Sequence, residues 1–412
     1  MTAAGTIARD ISRGEFIALV AAFTAINAAA IDVMLPALPF MGEAFQVENA
    51  NDRSLVLTVF LVGLGLPQLI MGPISDRFGR RAPLLIGLAV YTVAAFAALI
   101  VTSFAALLLL RFAQGVGSAA VAVSSQAAVR DRYSGRAMAE VMSMVLSVFM
   151  IVPIVAPFVG QAILLTGPWQ LIFVFMGALG AIFSVWSFLR LRESLAPADR
   201  RPLAFGPVVS GFALVVGNRS SLSYAIAGMF MFGGVLGLVN TSQQIYVDVY
   251  GVGPWFPAAF AAMPLAFAAA FLLNNRLVMR VGMRRLAHGS MSAFAVITTV
   301  WLALTLAGAM PLWLFLTFVA AVALAQGLAW GNIGALVMEP LGEVAGTAAA
   351  VFGALSTVGA ALLAYGIAQA FDGTPTPVVA AFFIFGLCVL ACFLVAEKGR
   401  LFQAHAPQPA GE

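Results

Sequence analysis

A carboxylate, Asp32, sits in the stretch AINAAAIDVMLPALP (Ala25–Pro39), inside a segment otherwise apolar enough to cross a bilayer. A guanidinium, Arg111, sits in the equally apolar LLLLRFAQGVGSAAVAVSSQAAVRD (Leu107–Asp131). A charge in hydrocarbon costs about 2.5–3.5 kcal/mol on insertion scales, so each of these must face protein, water or an opposite charge. Two opposite charges at one depth, with a proton able to come between them, are the parts of a proton-coupling device. Arg111, Gln114, Ser118 and Ser125 recur at i, i+3, i+7 and i+14, which places them in one polar stripe on a helix. An arginine snorkelling to the interface accounts for Arg111 alone, not for the amide and hydroxyls below it.

The elements that position these groups follow from composition. Of 412 residues, 62% are hydrophobic and 9% charged, against about 25% charged in soluble domains. Lipid is therefore the solvent, and the net charge of +4 resides in arginines of loops rather than in a nucleic-acid surface. About 20 apolar residues span the hydrocarbon. That length is met over residues 16–38, 55–75, 83–102, 105–129, 139–165, 171–189, 222–247, 256–274, 286–307, 312–337, 344–371 and 378–395. The expectation is an all-α membrane protein with twelve transmembrane helices. Arg77, Arg80, Arg81, Arg130, Arg132, Arg136, Arg190, Arg192, Arg276, Arg280, Arg284 and Arg285 follow even-numbered spans, and Arg9, Arg13, Lys398 and Arg400 lie in the tails. Positive residues stay inside, so both termini are expected in the cytoplasm, with the first span retained in the mature protein. The polar run RLRESLAPADRRPLAFG (Arg190–Gly206) divides the chain into residues 1–190, a central loop at 191–220, and residues 221–412. SDRFGRR after span 2 is echoed by VMRVGMRR after span 8, the mark of two parallel six-helix repeats with a binding site between them.

The loop GPISDRFGRR (Gly72–Arg81) combines a turn glycine, Gly79, with Asp76 placed to meet an arginine or a helix end. Its spacing resembles the signature loop between helices 2 and 3 of the major facilitator superfamily. The Arg111 stripe is similar to the fourth-helix motif of proton-coupled members. VPIVAPFVGQA (Val152–Ala162) resembles, in part, the fifth-helix motif of drug/proton antiporters. IDVMLPALP, YGVGPWFPAAFAAMP and LGEVAGTAAAVFGALSTVGAALLAYGIAQAFDGTPTP are similar to the bicyclomycin- and chloramphenicol-resistance branch. The resemblance implies a conformational gate at Gly72, Asp76, Arg77, Gly79, Arg80, Arg81 and Arg130, with Pro153, Pro157 and Gly160 in span 5. It also implies that the loop latches the two halves in the outward-open state.

Topology puts Asp32 and Arg111 each about two turns from the external ends of their spans. The expectation is that they interact directly or through water and act in proton coupling, with a structural ion pair that never titrates as the alternative. Candidate cavity residues are Asn27, Gln114, Ser118, Asn240, Gln243, Gln244, Gln326, Trp330 and Asn332, by the rule that binding cavities are apolar with a few convergent polar groups. Glu339 and Glu343 are expected to cap span 11. Cys388 and Cys392, one turn apart, read as packing residues, and no metal-ligand spacing occurs. His288 and His405 leave no histidine-based catalytic site. The leading expectation is proton-coupled export of small amphipathic compounds, multidrug or antibiotic efflux, across the cytoplasmic (inner) membrane. A proton-coupled symporter or a metabolite exporter is the alternative. No enzyme, cofactor or nucleic-acid partner is expected, and no phosphate loop for ATP occurs. The partners are a small-molecule substrate, protons and membrane lipid, with the chain functional as a monomer.

Overall fold

The computed structural model describes residues 11–203, 206–308 and 310–402. Arg9 and His405 lie outside the described residues, as does the side chain of Glu343. The described residues form helices α1 (Arg13–Asp32), α2 (Leu38–Ala44), α3 (Leu55–Gly65), α4 (Gln68–Phe78), α5 (Arg81–Ala97), α6 (Phe104–Arg132), α7 (Gly135–Thr166) and α8 (Gln170–Arg190). They continue with α9 (Gly206–Gly217), α10 (Arg219–Gln243), α11 (Phe256–Phe260), α12 (Ala262–Val281), α13 (Met283–Ala307), α14 (Leu312–Met338), α15 (Ala345–Gln369) and α16 (Thr376–Ala396). Among the described residues ten helices are long and apolar enough to cross a membrane, and α3 with α4 forms an eleventh span, bent by 44° at Leu66–Pro67. Pro67, at the N-cap of α4, has no N–H to donate to the preceding turn, which is why the ladder breaks there. The remaining expected span is α5, a shorter apolar helix of 17 residues. Large apolar side chains such as Ile86, Val93 and Leu109 stay exposed on the outside of the bundle, as a hydrocarbon solvent allows.

Local chemistry sets the helix ends. Ser12, Ser103 and Asn218 accept the N–H groups of Glu15, Ala106 and Ser221, satisfying donors that a first turn leaves bare. Gly79 and Gly282 end α4 and α12 with φ of +89° and +86°, a conformation glycine adopts without strain. The two echoing sequence segments thus make the same turn. The central segment departs from the expectation of a loop throughout. GPVVSGFALVVG, apolar on every side, forms α9 and packs Val215 on Leu341, Ala348 and Val351.

In the first half α1 packs on α6, α7 and α8, and α6 lies against α3 and α5. In the second, α10 meets α14, α15 and α16, and α14 meets α12 and α13. The two halves touch where α3 meets α15 and where α7 meets α11 and α12. Small residues permit the closest crossings. A Cβ on Gly63 would strike the carbonyl oxygen of Phe112, and one on Gly160 would strike that of Val33.

Candidate functional site

A cavity of about 310 Å³ lies between the halves, with Asn27, Asp32 and Pro153 on one wall and Phe232, Phe267, Gln326 and Trp330 among those on the other. Thr357 adds a hydroxyl, the rest of its walls are aliphatic, aromatic, proline and methionine side chains, and among the described residues Asp32 is the one ionisable group lining it. Asp32 closes the last turn of α1 with 6% of its surface exposed, and no described residue hydrogen-bonds or ion-pairs with its carboxylate. Gln326, 2% exposed, donates through Nε2 to the carbonyl of Met231 at 3.2 Å. That bond fixes the orientation of its amide, because a carbonyl accepts only from the nitrogen. Its Oε1 is left buried without a partner, as is Oδ1 of Asn27.

Arg111 is fully buried, but the expected direct contact with Asp32 is not formed. Its Nε donates to Val56 O at 3.1 Å, Nη1 to Gln114 Oε1 at 3.0 Å and Nη2 to Ala30 O at 2.9 Å. The guanidinium also lies 4.4 Å from the centre of the Phe60 ring. The correction has a geometric cause. Residues 30 and 32 are about 200° apart around a helix of 3.6 residues per turn. Arg111 reaches α1 at Ala30, whereas Asp32 looks into the cavity. A guanidinium satisfied by two carbonyls, an amide oxygen and an aromatic face serves as a fixed strut joining α1, α3 and α6.

The two ends of the bundle differ. At the end away from the chain termini, a polar seam joins the halves. Asn51 Nδ2 donates to Phe371 O at 3.0 Å, Gln369 Nε2 to Asp52 Oδ1 at 2.9 Å, and Gln244 Nε2 to Asn51 Oδ1 at 2.8 Å. At the end bearing the termini, the Gly79 turn is tied to its own half. Arg80 pairs with Asp131 at 2.9 Å and with Asp76, and Glu193 accepts the backbone N–H groups of Arg80 and Arg81 at 2.7 and 3.1 Å. Burial works against the Arg80 charge, yet its carboxylate partners outweigh burial and hold its pKa above the usual arginine value. Arg81 Nη2 donates to Phe188 O at 2.7 Å.

Residues 18–364 match the sequence profile of the Major Facilitator Superfamily. The chain belongs to this superfamily. It is a multi-pass membrane transporter that moves a small-molecule substrate, not an enzyme. It is 28% identical over 365 residues to a bicyclomycin resistance protein homolog of Haemophilus influenzae, covering 88% of this chain and 90% of that one. It is 30% identical to a chloramphenicol resistance protein of Pseudomonas aeruginosa, covering 82% and 80%. An uncharacterised transporter of Bacillus subtilis, YdgK, is 30% identical, covering 79% and 81%. The fold superposes with a TM-score of 0.73 on a bacterial homologue of the lysosomal transporter Spinster, described as inward-facing and occupied, at 14% identity over 97% of this chain and 100% of that one.

Within this superfamily frame the remaining expected residues separate clearly. Of the cavity candidates, Asn27, Gln326 and Trp330 line it. Gln114 instead holds Arg111, and Ser118 is buried behind it on α6. Asn240 donates to Thr58 at 3.4 Å, Gln244 joins the far seam, Gln243 is buried in α10, and Asn332 donates to Asn274 Oδ1 at 2.8 Å. Helical spacing showed that these groups face protein; it did not show which neighbour each would meet. Of the gate candidates, Pro153 lines the cavity and Pro157 and Gly160 are buried in α7. Arg77 and Arg130 are exposed, and Gly72 has open space where a Cβ would be. Glu339 pairs with Arg284 at 2.7 Å.

Several partners were missed by sequence reasoning. Asp131 and Glu193 anchor the Gly79 turn, and Gln369 and Asn51 build the far seam; only their polarity next to apolar spans pointed to them. His288 is buried at the terminal end, where Phe402 N–H donates to Nδ1 at 3.1 Å and Tyr224 Oη lies 3.0 Å from Nε2. Tyr224 in turn donates to Glu397 at 2.6 Å.

Proposed function

We propose that this transporter exports small amphipathic compounds in exchange for protons, by alternating access across the cytoplasmic (inner) membrane, with both termini in the cytoplasm. One observation carries the reading: the carboxylate of Asp32 stands, among the described residues, without a hydrogen-bond or ion-pair partner in a largely apolar cavity between the halves. An isolated buried charge is costly, so the site is stable when it holds a proton or a substrate group and is driven to exchange one for the other. The polar seam closes the external end in this state, which directs access to Asp32 toward the cytoplasm. Breaking that seam and closing the terminal end, where Arg80, Asp76, Asp131 and Glu193 stiffen the turn, exposes the same cavity outward. The relatives named for bicyclomycin and chloramphenicol resistance support export of drug-like compounds. The arginine-rich links after even-numbered spans support the orientation.

The test is proton movement in everted vesicles given an acid interior and challenged with chloramphenicol, bicyclomycin and a panel of lipophilic amines. Substrate-evoked proton release that disappears in Asp32→Asn is the expected result. Protons moving in the same direction as substrate, or an Asp32→Asn protein that transports with unchanged pH dependence, overturns the reading.

A further inference from the structure

His288 is the one histidine among the described residues, and the cavity makes no use of it. It lies fully buried in the second turn of α13, at the end of the bundle that bears the termini. Three rings enclose its imidazole. Tyr224 stacks parallel to it at 6.4 Å, Phe393 lies 5.0 Å away, and Phe402 meets it edge-on at 5.8 Å. The hydrogen bonds around the ring allow one arrangement of protons. The backbone N–H of Phe402 can only donate, and it meets Nδ1 at 3.1 Å, so Nδ1 is bare. A neutral imidazole then carries its proton on Nε2, which donates to Tyr224 Oη at 3.0 Å. Tyr224 in turn gives its own proton to Glu397 at 2.6 Å. Arg284 Nε donates to the same Glu397 oxygen at 3.0 Å, and its Nη2 pairs with Glu339 at 2.7 Å.

The segment after α16 is bent to reach this ring. Lys398, Gly399 and Phe402 have φ of +53°, +78° and +67°, and such angles in residues other than glycine persist only where surrounding contacts hold them. Two contacts hold Phe402. His288 Nδ1 takes its N–H, and Arg285 Nε donates to its carbonyl at 3.1 Å. Arginine keeps its charge, so His288 is the contact that titrates. We propose that His288 is a proton-operated latch, holding residues Glu397–Phe402 against α10 and α13 while its imidazole is neutral and releasing them when the side bearing the termini turns acidic. A proton from water bonds to Nδ1 and takes the lone pair that had accepted from Phe402. Two N–H groups then face each other, and the contact parts. The ionisable groups around the ring are Tyr224 from α10, Glu397 beyond α16, and Arg284 and Arg285 from α13, with Glu339 reached through Arg284. Neither α14 nor α16 adds a charged side chain, and Arg219, Arg276, Arg280, Lys398 and Arg400 are exposed. The latched imidazole holds one proton, whereas the freed one holds two below about pH 6.5. The latch therefore weakens as pH falls, by up to about tenfold per unit.

The experiment follows amide hydrogen exchange in the purified full chain from about pH 8 to about pH 5, each rate divided by the intrinsic rate at that pH. Protection of the Phe402 amide is expected to fall at least about tenfold over this range, while the amides of α13 keep theirs. His288→Asn places an amide oxygen near the position of Nδ1 and cannot titrate there, so the Phe402 amide is expected to stay protected throughout. A second measurement leaves His288 in place. His405→Ala removes the other histidine of the chain, and nitrogen-15 spectra of the histidine-labelled protein then report on His288 alone. A proton on Nε2 at about pH 8 and on both nitrogens at about pH 5 is the expected result. Phe402 protection that is constant across the range, an equal loss along α13, the parent's pH dependence retained in His288→Asn, or a proton on Nδ1 at about pH 8 overturns the proposal.

Discussion

Arg111→Lys and Asp32→Asn distinguish a fixed strut from an ion pair. Arg111 uses three different nitrogens to reach Val56, Gln114 and Ala30 at 3.1, 3.0 and 2.9 Å. A lysine ammonium is a single point on a flexible stem and serves one of these acceptors well. Two lost hydrogen bonds within a membrane bundle are worth about 0.6–1.7 kcal/mol each. The weakened contact with the Phe60 face adds about 1–2 kcal/mol. The expected loss for Arg111→Lys is therefore about 2–5 kcal/mol. Asp32 has no partner to lose, so Asp32→Asn removes a buried charge and is expected to be neutral or stabilising by up to about 2 kcal/mol. Reversible unfolding in mixed detergent micelles with rising SDS, followed by circular dichroism, measures both. If the two formed a buried pair, breaking it from either side would cost about 3–5 kcal/mol. An Asp32→Asn protein destabilised to that extent, or an Arg111→Lys protein that unfolds like the parent, refutes the argument.

Gly160→Ala puts a methyl against the carbonyl of Val33 and is expected to cost about 1–3 kcal/mol by forcing α7 away from α1. Gly366→Ala, where a Cβ meets open space, is the control and gains up to about 1 kcal/mol; melting in detergent compares them. Gln369→Ala removes the hydrogen bond to Asp52, worth about 1 kcal/mol, and loosens the far seam. A cysteine placed at Val239, in a chain with Cys388→Ala and Cys392→Ala, then reacts about fivefold faster with an impermeant maleimide added from outside. Glu193→Ala strips the acceptor from the N–H groups of Arg80 and Arg81. It is expected to cost about 1–3 kcal/mol, read as faster trypsin cleavage at the Gly79 turn.

Much of the architecture is legible in the residues themselves. Apolar length marked the spans, and the paired glycines 79 and 282 marked corresponding turns because only glycine takes that backbone angle at no cost. The cost of a carboxylate in hydrocarbon singled out Asp32. The helix within the central segment escaped because that stretch was read from its charged beginning, although GPVVSGFALVVG has the apolar character to form one. The Asp32–Arg111 contact was expected from matching depth. Depth follows from counting residues along a span, whereas contact also needs the direction each side chain takes around its helix. Gln244 and Asn332 were misplaced for the same reason.

Sequence alone determined the solvent, the spans, the turns and the presence of two costly charges within the spans, because these follow from the transfer cost of single side chains and the freedom of single backbone positions. The tertiary structure decided which charge stands open and which is satisfied. It gave Arg111 the carbonyls of α1 and α3, turned Asp32 and Gln326 into one cavity, and joined Asn51 to Gln369 across the halves. Those outcomes depend on how helices far apart in the chain rotate and pack together. No residue encodes that alone.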